Sequence, residues 1–391
     1  MSTAAAAARP RRILPAIVAS QFAGASVWFA GNAVLADLQR RWGLPPEALG
    51  YTTSAVQLGF IAGTLAFAFF AVADRFSPRL VFLLCALAAA AANASILAAD
   101  GSLAALLVLR FATGFFLAGI YPVGMKIASG WFQRDLGNAL GFLVGALVAG
   151  TAFPHLLRGL GQALPWQSVI VGSSAVAALG GLLMAALVPD GPHLARGAKF
   201  DPRALAAVFR VPAFRASAFG YFGHMWELYA FWAFVPWILA ARGVPAASLW
   251  SFAVIGVGAL GCVGGGLVSL RRGSAPVACA QLSASGLCCL ASPLLYFAPV
   301  PAFLAFLLFW GVVVVGDSPQ FSALNAHSAP RERVGSALTI ANCIGFGITI
   351  FSIEALNAAS RVLAPQWLFL LLAPGPALGL LALRPLLRRT A

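Results

Sequence analysis

The chain has 391 residues, of which 61% are hydrophobic and only 9% charged, with a mean hydropathy of +0.90. Soluble domains carry roughly 25% charged residues, so a water-soluble enzyme is excluded: its surface could not be covered. The net charge of +14 is spread over short segments along the chain rather than gathered in one stripe, which argues against nucleic-acid binding and for topology signals.

Apolar segments fall at roughly 13–36, 49–73, 80–99, 103–127, 136–158, 166–188, 213–240, 247–270, 275–297, 300–325, 334–357 and 366–387. Each is long enough to cross a bilayer, which takes about 20 residues. No cleavage-like site follows the first run, which is read as a retained helix and not as a signal peptide. With the N-terminus placed in the cytoplasm, eighteen of the 25 Lys and Arg residues lie inside. Five lie outside (Arg40, Arg41, Arg158, Arg242, Arg361), and Arg110 and Lys126 lie within or at the end of the fourth segment. The positive-inside rule then places both termini in the cytoplasm, with the protein integral to the cytoplasmic (inner) membrane. The longest connection, 189–212, is cytoplasmic, and its Pro202 to Arg210 portion reads as a short surface helix. It separates an N-terminal six-helix bundle (1–188) from a C-terminal one (213–391). The six cysteines, Cys85, Cys262, Cys279, Cys288, Cys289 and Cys343, all sit in apolar segments and read as small buried hydrophobes.

The halves carry matching punctuation. Gly119-Ile-Tyr-Pro122 and Gly316-Asp-Ser-Pro319 share G-x-x-P at an offset of 197, and Gly43-Leu-Pro and Gly243-Val-Pro match at 200, as do Phe22 and Phe222. A six-plus-six duplication follows, with parallel halves related by an axis along the membrane normal.

Two local motifs extend the argument. Ala73-Asp-Arg-Phe-Ser-Pro-Arg79 follows the second segment, and Arg110-Phe-Ala-Thr-Gly114 lies in the fourth. On these motifs, the twelve segments, the central loop and the internal halves, the chain resembles the major facilitator superfamily over its whole length. The first motif is similar to the family's G-x-L-A-D-R-x-G-R-R signature, with Phe70, Val72, Ser77 and Pro78 as departures. The second is similar to its R-x-x-x-G motif. The resemblance implies an all-α polytopic membrane protein, with twelve transmembrane helices in two pseudo-symmetric six-helix halves. It implies a cytoplasmic latch at Asp74, Arg75 and Arg79, a link between Arg110 and proton coupling, and a central cavity lined by the first, fourth, seventh and tenth helices. Gly141, Gly145, Gly150 and Pro154 only approximate the family's antiporter signature, so export is not signalled.

Ionisable groups at membrane depth cost at least about 2.5–3.5 kcal/mol each, which makes each a functional candidate. Arg110, His224, Glu227 and Asp317 are such groups, with Lys126 and Glu354 at the margins. His224, Glu227 and Phe231 share one helical stripe. Arg110 and Glu227 fall at similar depths, so they could pair or face one cavity, and a static salt bridge competes with a transport role. Asp317 could bind substrate or protons, or pair with Lys126. A metal reading of His224 and Met225 lacks a second ligand cluster. Gln21, Trp28 and Asn32 form a stripe in the first segment; with Tyr121, Trp226 and Phe231 they are the cavity-lining candidates. Thr339, Asn342 and Thr349 read as packing. Gly261, Gly264, Gly265 and Gly266 permit close helix approach.

The expected function is a secondary active transporter moving a small solute by alternating access, coupled to protons. An uncoupled uniporter and a non-transporting membrane sensor or assembly factor are the alternatives. No G-x-x-x-x-G-K-[ST] and no nucleophile–base set occur, so neither ATP hydrolysis nor another enzymatic activity is expected. No cofactor and no metal is called for. The expected partners are a small-molecule substrate, protons and the lipid bilayer, with no nucleic acid, and the expected state is a monomer.

Overall fold

A computed structural model describes residues 10–132, 136–161, 164–194, 201, 204–330 and 333–387. Arg9, Arg134, Arg196, Lys199, Arg203, Arg331, Arg388 and Arg389, counted above for orientation, lie outside the described residues, as do Pro202 and much of the 189–212 connection. Among the described residues the structure is helical, with no strand. Among the described residues, eleven helices are long and apolar enough to cross a membrane. They are α1 (Ile13–Trp42), α2 (Ala48–Phe69), α3 (Pro78–Ala98), α4 (Leu103–Trp131), α5 (Gly137–Leu160), α6 (Gln167–Leu187), α8 (Ala247–Arg272), α9 (Ser274–Leu295), α10 (Val300–Ser328), α11 (Val334–Ala359) and α12 (Pro365–Leu387). The 30-residue α7 (Pro212–Ala241) is long enough but carries Arg215, His224 and Glu227, which lower its hydropathy. A short helix, Ala204–Arg210, precedes it.

The ends follow ordinary chemistry. Pro78 and Pro212 open α3 and α7, where a missing N–H costs nothing. Ser102 caps α4 by accepting from the Ala105 amide at 3.2 Å. After α1 and α7 the chain turns at Gly43 (φ 65°) and Gly243 (φ 68°), left-handed positions that a side chain would strain. The G-x-x-P pair also has a common structural meaning: α4 is interrupted between Leu117 and Tyr121, and α10 between Gly316 and Ser318. The proline after each break opens the next helical piece.

The halves repeat one packing device. In the first, a methyl group on Gly59 would sit 2.0 Å from Phe111 O, and one on Gly114 would sit 2.0 Å from Val56 O. In the second, the equivalent distances are Gly261 to Val312 O and Gly311 to Val254 O, again 2.0 Å. Reciprocal glycines therefore press α2 onto α4 and α8 onto α10. Of the four glycines expected to serve close approach, Gly261 and Gly265 do so. Gly264 and Gly266 meet nothing within 4 Å. Between the halves, α5 runs along α8, with Gly145 against Ala259, and α2 runs along α11.

Candidate functional site

Arg110 is fully buried in α4. Its guanidinium donates to Val27 O at 3.1 Å, to Trp28 O, and to Asn93 Oδ1 at 3.4 Å. The first two acceptors are free because α1 is interrupted between Ala25 and Ala30. Ser26 fastens the same break to α6 through Ser173 O at 2.9 Å. Gly31 lies flat against the guanidinium, since a methyl group there would be 2.9 Å from Nε. A buried cation bonded to backbone carbonyls is one of the few ways to keep such a charge at membrane depth.

Glu227 is also fully buried, but within the second half. One carboxylate oxygen accepts from Ser285 Oγ at 2.7 Å and from Cys289 Sγ at 3.6 Å, and the other has no partner. Trp310 Nε1 donates to Ser285 Oγ at 2.9 Å, which holds that hydroxyl in place. The Arg110–Glu227 pair allowed by depth is therefore not formed: each group is spent inside its own half. His224 Nδ1 lies 2.9 Å from Asp317 Oδ1, both fully buried, joining α7 to the break in α10. The approach is close without the alignment of a hydrogen bond. Lys126 does not reach Asp317; it pairs with Asp74 at 2.5 Å. That pair ties the end of α4 to the latch segment. Arg79 donates to Ala185 O at 3.5 Å, and Arg75 is exposed.

Between the halves lies a narrow slot of about 430 Å³, part of it open to solvent, which a water-sized molecule enters with little room to spare. Tyr121 from α4, Val144, Leu147 and Val148 from α5, Tyr221, Met225, Leu228, Tyr229 and Trp232 from α7, Val315, Ser318 and Ser322 from α10, and Asn342 and Phe346 from α11 line it. Trp28 closes it from α1, stacking on Tyr229 (5.8 Å) and Phe346 (5.9 Å). Phe60 of α2 joins this cluster, 4.4 Å from Phe346. Of the six expected cavity residues, Tyr121 lines the slot and Trp28 covers it. The other four are engaged elsewhere: Gln21 tucks against Gly124, Asn32 donates to Thr53 at 2.7 Å, Trp226 donates to Leu371 O at 3.1 Å, and Phe231 stacks on Trp310 at 4.6 Å. Asn342, read from the sequence as packing, is a wall residue.

The missed residues share a signal. Tyr221, Met225, Leu228, Tyr229 and Trp232 recur at i, i+4, i+7, i+8 and i+11, a stripe rotated by roughly a third of a turn from His224, Glu227 and Phe231. The ionisable stripe faces its own half, and the aromatic one faces the other half.

On the face opposite the termini, α2 and α11 are clasped. Ser54 Oγ donates to Glu354 at 2.6 Å, Asn357 donates to Glu47 O at 3.1 Å, and Arg361 pairs with Glu47 at 2.8 Å.

This arrangement can be set against known proteins. The family model described as Major Facilitator Superfamily matches residues 17–353. The chain belongs to the major facilitator superfamily. Human MFSD10 (TETRAN), an organic anion transporter, superposes with a TM-score of 0.71 at 15% identity, covering 95% of this chain and 99% of its own. The proton:xylose symporter XylE gives 0.74 at 12%, covering 97% and 96%. The E. coli fucose:proton symporter FucP gives 0.66 at 16%, covering 95% and 97%. These likenesses show the fold. In sequence, NiaP of Bacillus subtilis (strain 168), named as a niacin/nicotinamide transporter, is 28% identical over 169 residues, which is 41% of this chain and 39% of NiaP. The spanning helices and the family make this superfamily member an integral membrane protein.

Proposed function

We propose that the chain is a proton-coupled secondary transporter that carries a small organic solute across the cytoplasmic membrane by alternating access. The observation that carries this reading is a slot at the seam of two repeated bundles, backed within the second bundle by two buried carboxylates, Glu227 and Asp317, that no Lys or Arg among the described residues neutralises. A carrier that loads and releases a proton needs a titratable group at membrane depth, and these two carboxylates supply it. In this reading α7 is the twelfth crossing, the halves are 1–188 and 213–391, both termini are cytoplasmic, and the α2–α11 clasp shuts the outer end. XylE and FucP, both proton symporters, are consistent with it.

Proteoliposomes with an imposed proton gradient provide the test. Glu227→Gln is expected to abolish gradient-driven accumulation while leaving counterflow exchange within about threefold of wild type, because the slot wall is intact. Accumulation by Glu227→Gln at the wild-type rate, with an unchanged pH profile, would remove Glu227 from the coupling role. A wild-type protein that exchanges solute but never accumulates it would be a uniporter.

A further inference from the structure

The similar proteins are named for sugars, an organic anion and niacin/nicotinamide, and the slot distinguishes among these chemistries. None of its fourteen lining residues is charged. The nearest charges in sequence turn away: Asp317, beside Ser318, lies against His224, and Glu227, beside Leu228, is held by Ser285. The two cations of α4 are spent, Arg110 on the α1 carbonyls and Lys126 on Asp74. An anion entering the slot would lose its hydration and find no countercharge among the described residues, a cost of several kcal/mol.

What the slot offers is aromatic faces and idle neutral hydrogen-bonding groups. Trp232 is buried, lines the slot, and has no partner for its Nε1–H. Among the described residues no hydrogen-bond partner is found for the hydroxyls of Tyr121, Tyr221 and Tyr229 or for the Asn342 amide. Aromatic faces alone would also suit a cation. The orphaned indole N–H asks for an acceptor, and with an amide and hydroxyls nearby the wall can also take a donor. We infer that the slot, which admits little more than a water molecule with the halves this close, binds, once they move apart, a neutral, planar aromatic ring bearing a carboxamide-type donor–acceptor group, in preference to the anionic, cationic or sugar-like solutes of the same size. The inference rests on the slot being the transport site proposed above.

The test holds the ring constant and changes its charge. Equilibrium binding of labelled nicotinamide to the purified full chain would be competed with nicotinate (anion), 1-methylnicotinamide (cation), benzamide (neutral) and xylose. Saturable nicotinamide binding is expected, with benzamide competing and the two ions and xylose at least about tenfold weaker, near the loss of one well-made interaction. Trp232→Phe should weaken nicotinamide about three- to tenfold, and so should the gentler Tyr229→Phe, which removes only a hydroxyl. Tighter binding of either ion or of xylose, or no saturable binding of either neutral ring, overturns the inference. Counterflow in proteoliposomes separates this from the transport reading. Flux of an ion or sugar without nicotinamide flux sinks the neutral-ring slot and spares the transporter. Nicotinamide binding without flux of any solute does the reverse.

Discussion

Arg110 shows how a residue can be found by its chemistry before its partners can be named. A guanidinium in an apolar helix is expensive, so the sequence singles it out. Its partners are two carbonyls that exist as acceptors only because α1 unwinds between Ala25 and Ala30, and no local pattern in 13–42 announces that break. Charge complementarity suggested Glu227, and the structure answers with backbone. Arg110 therefore acts first as the pin of the α1 break. Arg110→Gln should lower stability by about 3 kcal/mol, because bonds from a charged donor are lost and buried carbonyls are left bare. Arg110→Lys, whose ammonium cannot span the same acceptors, should recover less than half of that. Gly31→Ala should resemble both by pushing on Nε, 2.9 Å from its new methyl group. Thermal melting of the detergent-solubilised variants reads all three. An Arg110→Gln protein that melts with the wild type and loses only the pH dependence of transport would instead make Arg110 a coupling group.

At the scale of elements the sequence was most legible. The twelve apolar runs coincide with the helices to within a few residues, because each must satisfy its backbone within the bilayer. The largest miss is the end of α1, which continues through polar Asp37, Gln39 and Arg40 to Trp42, since a helix need not stop where its hydropathy does. The repeated G-x-x-P was visible and proved to mark equivalent breaks. The repeated glycine pair was not, because its meaning depends on which helices cross. Gly114, read only as the end of R-x-x-x-G, is half of that pair, and Gly311 is its counterpart at the same offset of 197. At Gly114 and Gly311 the new methyl group would meet backbone oxygen, which cannot swing aside. Either glycine changed to Ala should cost about 2 kcal/mol or more, as overpacking does in a tight core. Gly264→Ala and Gly335→Ala, with nothing within 4 Å, should be neutral or slightly stabilising through helix propensity. Equal melting temperatures across the four variants would show that the crossings relax freely.

The whole molecule is asymmetric between its two faces. On the face opposite the termini, α2 and α11 meet through Ser54, Glu354, Asn357, Glu47 and Arg361, and Asn357 packs directly over Gly50. Towards the terminal face, the slot is bordered by Tyr221, Ser322 and Asn342, on the nearer portions of α7, α10 and α11. If the halves rock about the seam, the clasp is the element that must open, and its few exposed or half-buried polar bonds, each worth about 1 kcal/mol, are weak enough to break in every cycle. The hinge need not be a separate loop, because α5 and α8 lie along each other from Gly159 against Leu249 to Gly145 against Ala259. A cysteine pair at Ser54 and Glu354, joined by an oxidant after the half-buried Cys279 and Cys343 are changed to Ser, should stop counterflow almost completely, and a reductant should restore it. Substrate binding from the terminal face should survive the cross-link, since the slot lies on that side of the clasp. Continued flux with the bridge closed would mean that these ends never separate, and that solute passes by a route other than the α2–α11 seam.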